Sequence, residues 1–123
     1  MRIGLPTEGD NGLAEPVHGR FGRAPGFTIV DTGDGSVKTV APCLPHQVPG
    51  ECDLFTALAG ENLDVVVVRH IGWRAVANLA EMGVLIFESP PEATVGQAVA
   101  ALQAGRLPVV GVPSAWTGSP FVH

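Results

Sequence analysis

Four consecutive valines, Val65 to Val68, follow Leu63-Asp64 and give way to Arg69-His70. A strand with one wet face alternates apolar and polar residues. An unbroken β-branched run belongs instead inside a parallel sheet covered on both faces. Covering both faces takes helices, so this run commits the chain to an α/β layer fold. The flanking sequence supplies them. Trp73 to Met82 puts Val76, Leu79 and Ala80 on one face and stops at Gly83, while Thr94 to Ala104 turns Val95, Ala98, Val99 and Leu102 inward. Thr94 suits an N-cap and Gly105 a C-cap. A further helix near 51–60 carries Leu54, Phe55, Leu58 and Ala59 at helical spacing and ends at Gly60. Val84 to Phe87 reads as a second buried strand.

The amino-terminal part follows a different pattern. Arg2 to Pro6 forms a short strand, and Phe27 to Asp31 with Val37 to Ala41 forms a hairpin around Thr32-Gly-Asp-Gly-Ser36. The Gly- and Pro-rich segments 8–25 and 42–50 are loops long enough to carry function. The order β-β-β-α-β-α-β-α predicts a mixed five-stranded sheet, antiparallel in its first half and parallel in its second. Residues 1–107 make one domain, and 108–123 an irregular C-terminal tail whose one strand-like stretch is Val109 to Val112. With 46% hydrophobic and 15% charged residues, the 123-residue chain can bury a single core. No apolar run reaches the roughly 20 residues that span a bilayer, and Met1 to Pro6 lacks the apolar segment of a signal peptide. A cytoplasmic protein with no membrane association is expected.

Charge is distributed unevenly. The net charge is -5, yet four of the seven Lys and Arg residues lie in two short loops, Arg20 and Arg23 in one, Arg69 and Arg74 in the other. In the first, Phe21 can anchor the loop in the core and Gly22 can bring backbone close to a ligand. In the second, a central strand ends at Arg69-His70, passes Ile71-Gly72 and enters a helix near Trp73. That junction, with its free N–H groups and helix dipole, is where open α/β sheets bind anions, and Arg74 adds a full charge. Together the loops suit a compact anion. The plainer alternatives are solvated arginines or pairing with Glu15, a backbone-satisfied His70, and a Gly72 that serves only the turn.

Cys43-x2-His46-x5-Cys52 offers three soft ligands within ten residues, and a zinc ion would need a fourth from His18 or His70. The alternative is two small, partly buried cysteines. Enzymatic signatures are missing: there is no Gly-x-Ser-x-Gly elbow, P-loop or Gly-x-Gly-x-x-Gly. A metal-dependent nuclease would need carboxylates inside the first strand, whereas Asp31 and Asp64 flank strands. Net acidity argues against nucleic acid as a partner.

Phe21-Gly-Arg-Ala-Pro25 ahead of a strand, Gly-x-Cys at 50–52, Asp64-Val-Val-Val-Val-x-x-Ile-Gly-x-Arg-Ala75 and Thr94-Val before an Ala-rich helix occur in this order. Over residues 1–107 the chain thus resembles the dinitrogenase iron-molybdenum cofactor biosynthesis family. The resemblance implies an RNase H-like three-layer fold without nuclease activity. It also implies kinship with carriers of the iron-molybdenum cofactor or its precursors, and with orange proteins, which hold a molybdenum-copper sulfide cluster noncovalently. Many relatives have His immediately before Phe-Gly, where this chain has Arg20, with His18 two residues earlier. Relatives also often have Gly-Gly where Arg69-His70 stand, so analogy gives His70 no role.

The expectation is a nonenzymatic, noncovalent carrier of an anionic molybdenum-containing metal-sulfur cluster. Arg20, Phe21, Gly22, Arg23, Arg69, His70, Gly72 and Arg74 would form its site, and His70, Cys52, His46 or His18 would supply direct metal contacts. Its partners would be the cluster and a donor or recipient metalloprotein, the chain itself a monomer or weak homodimer. A cofactor-free interaction module and a simple zinc protein are the alternatives.

Overall fold

The structure is a computed structural model that describes residues 1–9, 11–21, 24, 26–40, 58 and 60–112. The strands are β1 (Arg2–Thr7), β2 (Gly26–Asp31), β3 (Val37–Val40), β4 (Val65–Val68), β5 (Leu85–Glu88) and β6 (Val109–Gly111). The helices are α1 (Trp73–Glu81) and α2 (Val95–Gln103), with a 3-10 turn at Gly12–Ala14. All six strands form one sheet in the order β3-β2-β1-β4-β5-β6. β1, β4 and β5 are mutually parallel, while β2 and β3 extend the sheet antiparallel on the far side of β1.

The four valines behave as their pattern demands. Val65 and Val67 pack with Ile3, Leu5 and Phe87 against Val95, Ala98 and Val99 of α2. Val66 and Val68 face the other way, packing with Phe27, Ile29 and Ile86 against Leu79 of α1. Each valine buried this way contributes about 1.5–3 kcal/mol, so β4 holds the two helical layers to one sheet. The Thr94 hydroxyl accepts from the Gln97 N–H at 3.2 Å, and the Gln97 side-chain Oε1 accepts from the Thr94 N–H at 3.0 Å. This capping box fixes the start of α2. Gly83 and Gly105, at φ 82° and 72°, end the two helices in the left-handed region.

The sequence expectation of a five-stranded sheet needs one correction, because β6 adds a sixth strand antiparallel to β5, pairing Phe87 with Val109 and Ile86 with Gly111. The reason is steric as well as topological. A Cβ on Gly111 would stand 2.9 Å from Val76 Cγ1 and 3.2 Å from Ile86 Cδ1, so glycine lets β6 lie under α1 without displacing those side chains. Residues 109–111 are therefore part of the sheet, and 113–123 lie outside the described residues. The helix expected near 51–60 also lies outside them, apart from Leu58 and Gly60; Leu58 is fully buried in the core beneath α1. Among the described residues no helix is long and apolar enough to cross a membrane.

Carboxylates gather at the amino ends of the parallel strands. Arg2 Nε donates to the Glu61 carbonyl at 2.6 Å, and its guanidinium meets the Glu61 carboxylate at 3.0 Å and Asp31 at 3.5 Å. Lys38 reaches the same Glu61 carboxylate at 2.6 Å, and Asp64 accepts from the Arg2 N–H at 2.8 Å. Asp31 and Asp64 are thus boundary residues occupied by Arg2. In the β2–β3 turn, the Ser36 hydroxyl and then the Ser36 N–H, which donates at 2.8 Å, hold the Asp34 carboxyl below its ordinary value.

Candidate functional site

The opposite edge of the sheet, at the carboxyl ends of β1, β4 and β5, receives the second arginine loop directly from β4. Val68 is the last buried valine, Arg69 is half-buried and His70, Gly72 and Arg74 are exposed. The first arginine loop arrives here too. The Phe21 N–H donates to the His70 carbonyl at 3.0 Å, joining two segments 49 residues apart. Phe21 itself is 1% exposed, with its ring edge-to-face against Phe27 at 5.4 Å. It anchors the loop as its sequence position suggests, and Arg20, one residue away, is exposed. Just before it, the His18 N–H donates to the Pro6 carbonyl at 2.7 Å, and the Arg20 N–H donates to His18 Nδ1 at 3.0 Å. His18 Nδ1 also lies 3.0 Å from the Arg20 carbonyl, and in the tautomer in which Nδ1–H donates to that oxygen Nε2 keeps its lone pair for a metal.

Gly72 is the N-cap of α1, and among the described residues no side chain caps it, which leaves the first amides of the helix beside the loop that carries Arg69 and His70. The Arg74 guanidinium lies over the Trp73 ring at 5.3 Å, and Trp73 is 75% exposed. Among the described residues, ion pairs engage Arg2 and Lys38 at the far end of the sheet, while Arg20, Arg69, Arg74 and Arg106 have none. Glu15, a candidate partner for Arg20 in the sequence, instead accepts from Asn11 Nδ2 at 3.1 Å.

One lining residue was not visible as such in the sequence. Chains leaving β4 and β5 go to opposite faces, into α1 and α2 respectively, and the crevice left between them is the usual ligand position in open α/β sheets. Here that crevice is a groove of about 320 Å³ with Arg69 and His70 on one side, Glu88 to Pro91 on another, and Arg106 to Pro108 completing it. Arg106 belongs to it because β6 is antiparallel to β5. The connection out of α2 must return to the carboxyl end of β5, where the Glu88 N–H donates to the Pro108 carbonyl at 2.9 Å. Counting Val109 to Val112 as an antiparallel strand would have placed Arg106 there from sequence.

Gly22, Arg23, Cys43, His46 and Cys52 lie outside the described residues. Among the described residues no three His, Cys, Asp or Glu side chains converge as a metal site, so His18 and His70 do not form one by themselves.

An αβα sandwich with a cationic ligand crevice at the carboxyl edge of its parallel strands is a binding-domain architecture. The sequence profile of the dinitrogenase iron-molybdenum cofactor family matches residues 1–105, and the chain belongs to that family. No curated protein matches the chain. Among solved structures it is similar to the apo form of the orange protein from Desulfovibrio gigas, with 29% identity, a TM-score of 0.76, and 91% of this chain and 94% of that one covered. It is also similar to a Thermotoga protein described as a NifB protein of the DUF35 family, with 26% identity, a TM-score of 0.71, and coverage of 96% and 97%. A dinitrogenase-type protein from Methanocaldococcus jannaschii, 17% identical at a TM-score of 0.66 over 92% and 97% of the two chains, shares the fold.

Proposed function

We propose that this protein binds and carries, noncovalently, an anionic molybdenum-containing metal-sulfur cluster at the carboxyl edge of β1, β4 and β5. The observation that carries this reading is the Phe21–His70 hydrogen bond, which brings both arginine loops to one place where their described guanidinium groups have no carboxylate partner. Arg20, Arg69 and Arg74 supply charge, joined by Arg23 from the first loop. The open amides after Gly72 add directed donors, and Gly22 lets the loop backbone approach. The exposed His70 imidazole is the first candidate for a direct metal contact, with His18 Nε2, His46 and Cys52 as further ones. In this reading the protein acts by holding and releasing its cargo. Exposed Trp73, carrying Arg74 over its ring, forms the surface that a donor or recipient metalloprotein would touch first.

The test is reconstitution of oxygen-free protein with tetrathiomolybdate and copper. The reading expects stoichiometric molybdenum and new charge-transfer bands in the wild type, and retention lowered at least about tenfold in the Arg69→Ala, Arg74→Ala double variant. Equal retention by that variant and the wild type would remove the electrostatic basis of the proposal.

A further inference from the structure

The groove between the β4 and β5 loops shares Arg69 and His70 with the second arginine loop and adds Arg106 and Glu88, while Pro90, Pro91, Leu107 and Pro108 give it apolar, stiff walls. Ser89 is 5% exposed, and its hydroxyl donates to the Pro90 carbonyl at 3.1 Å, so it offers the groove no free hydroxyl proton. Backbone ties hold the shape: the Ser89 N–H donates to the Val68 carbonyl at 2.6 Å, and the Glu88 N–H to that of Pro108. The groove is therefore preformed, and its volume of about 320 Å³ lies at the low end for small-molecule sites, about 300–1,000 Å³.

We infer that this groove is the seat of the cargo's anionic face, that Arg106 is a binding residue clamping it opposite Arg69, and that the site selects large, weakly hydrated sulfide-faced anions over compact oxyanions. The inference rests on the cluster-carrier reading and adds to it the place, a further residue and the discrimination against oxyanions. The selectivity follows from desolvation. A small oxyanion gives up strong hydration on entering apolar proline walls, and two guanidinium groups opposed by one carboxylate return only part of that cost. A polarisable sulfide surface loses little hydration, and guanidinium is itself weakly hydrated, so the pairing is favourable even in a groove of formal charge near +1. Glu88 strengthens the discrimination, because it penalises charge density without blocking the space.

The test is a titration of the apo protein with tetrathiomolybdate and, separately, with molybdate, followed by amide proton–nitrogen correlation spectra. The proposal expects saturable shifts at Ser89 and Leu107 with tetrathiomolybdate, and binding of molybdate at least about tenfold weaker. Arg106→Ala should weaken tetrathiomolybdate about tenfold, and Glu88→Gln should tighten it about twofold to fivefold. Both side chains are exposed, and an unchanged thermal midpoint in each variant separates binding from folding. Shifts confined to Phe21 and the Ile71–Ala75 stretch, with Arg106→Ala binding like the wild type, would overturn the groove and leave the carrier reading standing. An absence of shifts anywhere with tetrathiomolybdate, alone and with copper, would overturn both.

Discussion

Replacing Phe21 by alanine probes the joint between fold and site. The ring is 1% exposed and stacks edge-to-face on Phe27 with centroids 5.4 Å apart. Removing it forfeits about 2–3 kcal/mol of transfer free energy. The aromatic pair adds about 0.5–1.5 kcal/mol, and the cavity left beside Ile29 and Leu79 raises the sum to about 3–5 kcal/mol. In a domain whose whole stability is about 5–15 kcal/mol, the variant stays folded in the cold and melts roughly 10–25 °C lower. Urea unfolding followed by circular dichroism gives the free energy. Amide exchange at position 21 reports separately whether its bond to the His70 carbonyl survives. Phe21→Leu, which keeps an apolar anchor, should lose only about 1–1.5 kcal/mol and retain the cargo, while Phe21→Ala should lose it as the first arginine loop leaves the second. A loss below about 1 kcal/mol for alanine, with unchanged exchange protection, would refute the claim that Phe21 pins the two loops together.

Three further outcomes follow from the structure. Thr94→Ala should cost about 1 kcal/mol in chemical unfolding, because it removes the hydroxyl that accepts from Gln97 N–H at the start of α2. Gly111→Ala should cost about 1–3 kcal/mol, because its Cβ collides with Val76 and Ile86; a neutral thermal shift would show that β6 does not run beneath α1. Arg2→Ala should cost about 1 kcal/mol, less at high salt, since its ion pairs with Glu61 and Asp31 are partly exposed; cargo affinity at the other end of the sheet should not change.

The sequence was most legible where neighbours in the chain are also neighbours in space. Val65 to Val68 identified the central strand because burial on both faces leaves no room for alternation, and Thr94 and Gly105 marked the ends of α2 because capping is local. β6 was harder to place. It has three residues, Val110 is 40% exposed, and prolines at 108 and 113 flank it, so its pairing depends on β5 rather than on any pattern of its own. Arg106 was overlooked for the same reason, since its position follows from the direction of that strand. Arg69, His70 and Arg74 were legible as the loop between a buried strand and a helix. Their union with Phe21 was not, because a backbone hydrogen bond between residues 21 and 70 leaves no side-chain signature.

The central claim is that the chain holds one anionic molybdenum-sulfur cluster without a covalent bond, and mass spectrometry of the reconstituted protein tests it most directly. The account predicts one cluster mass per chain when the protein is sprayed folded, and the bare chain mass after denaturation. A bare chain under both conditions, or an adduct that survives unfolding, would contradict it.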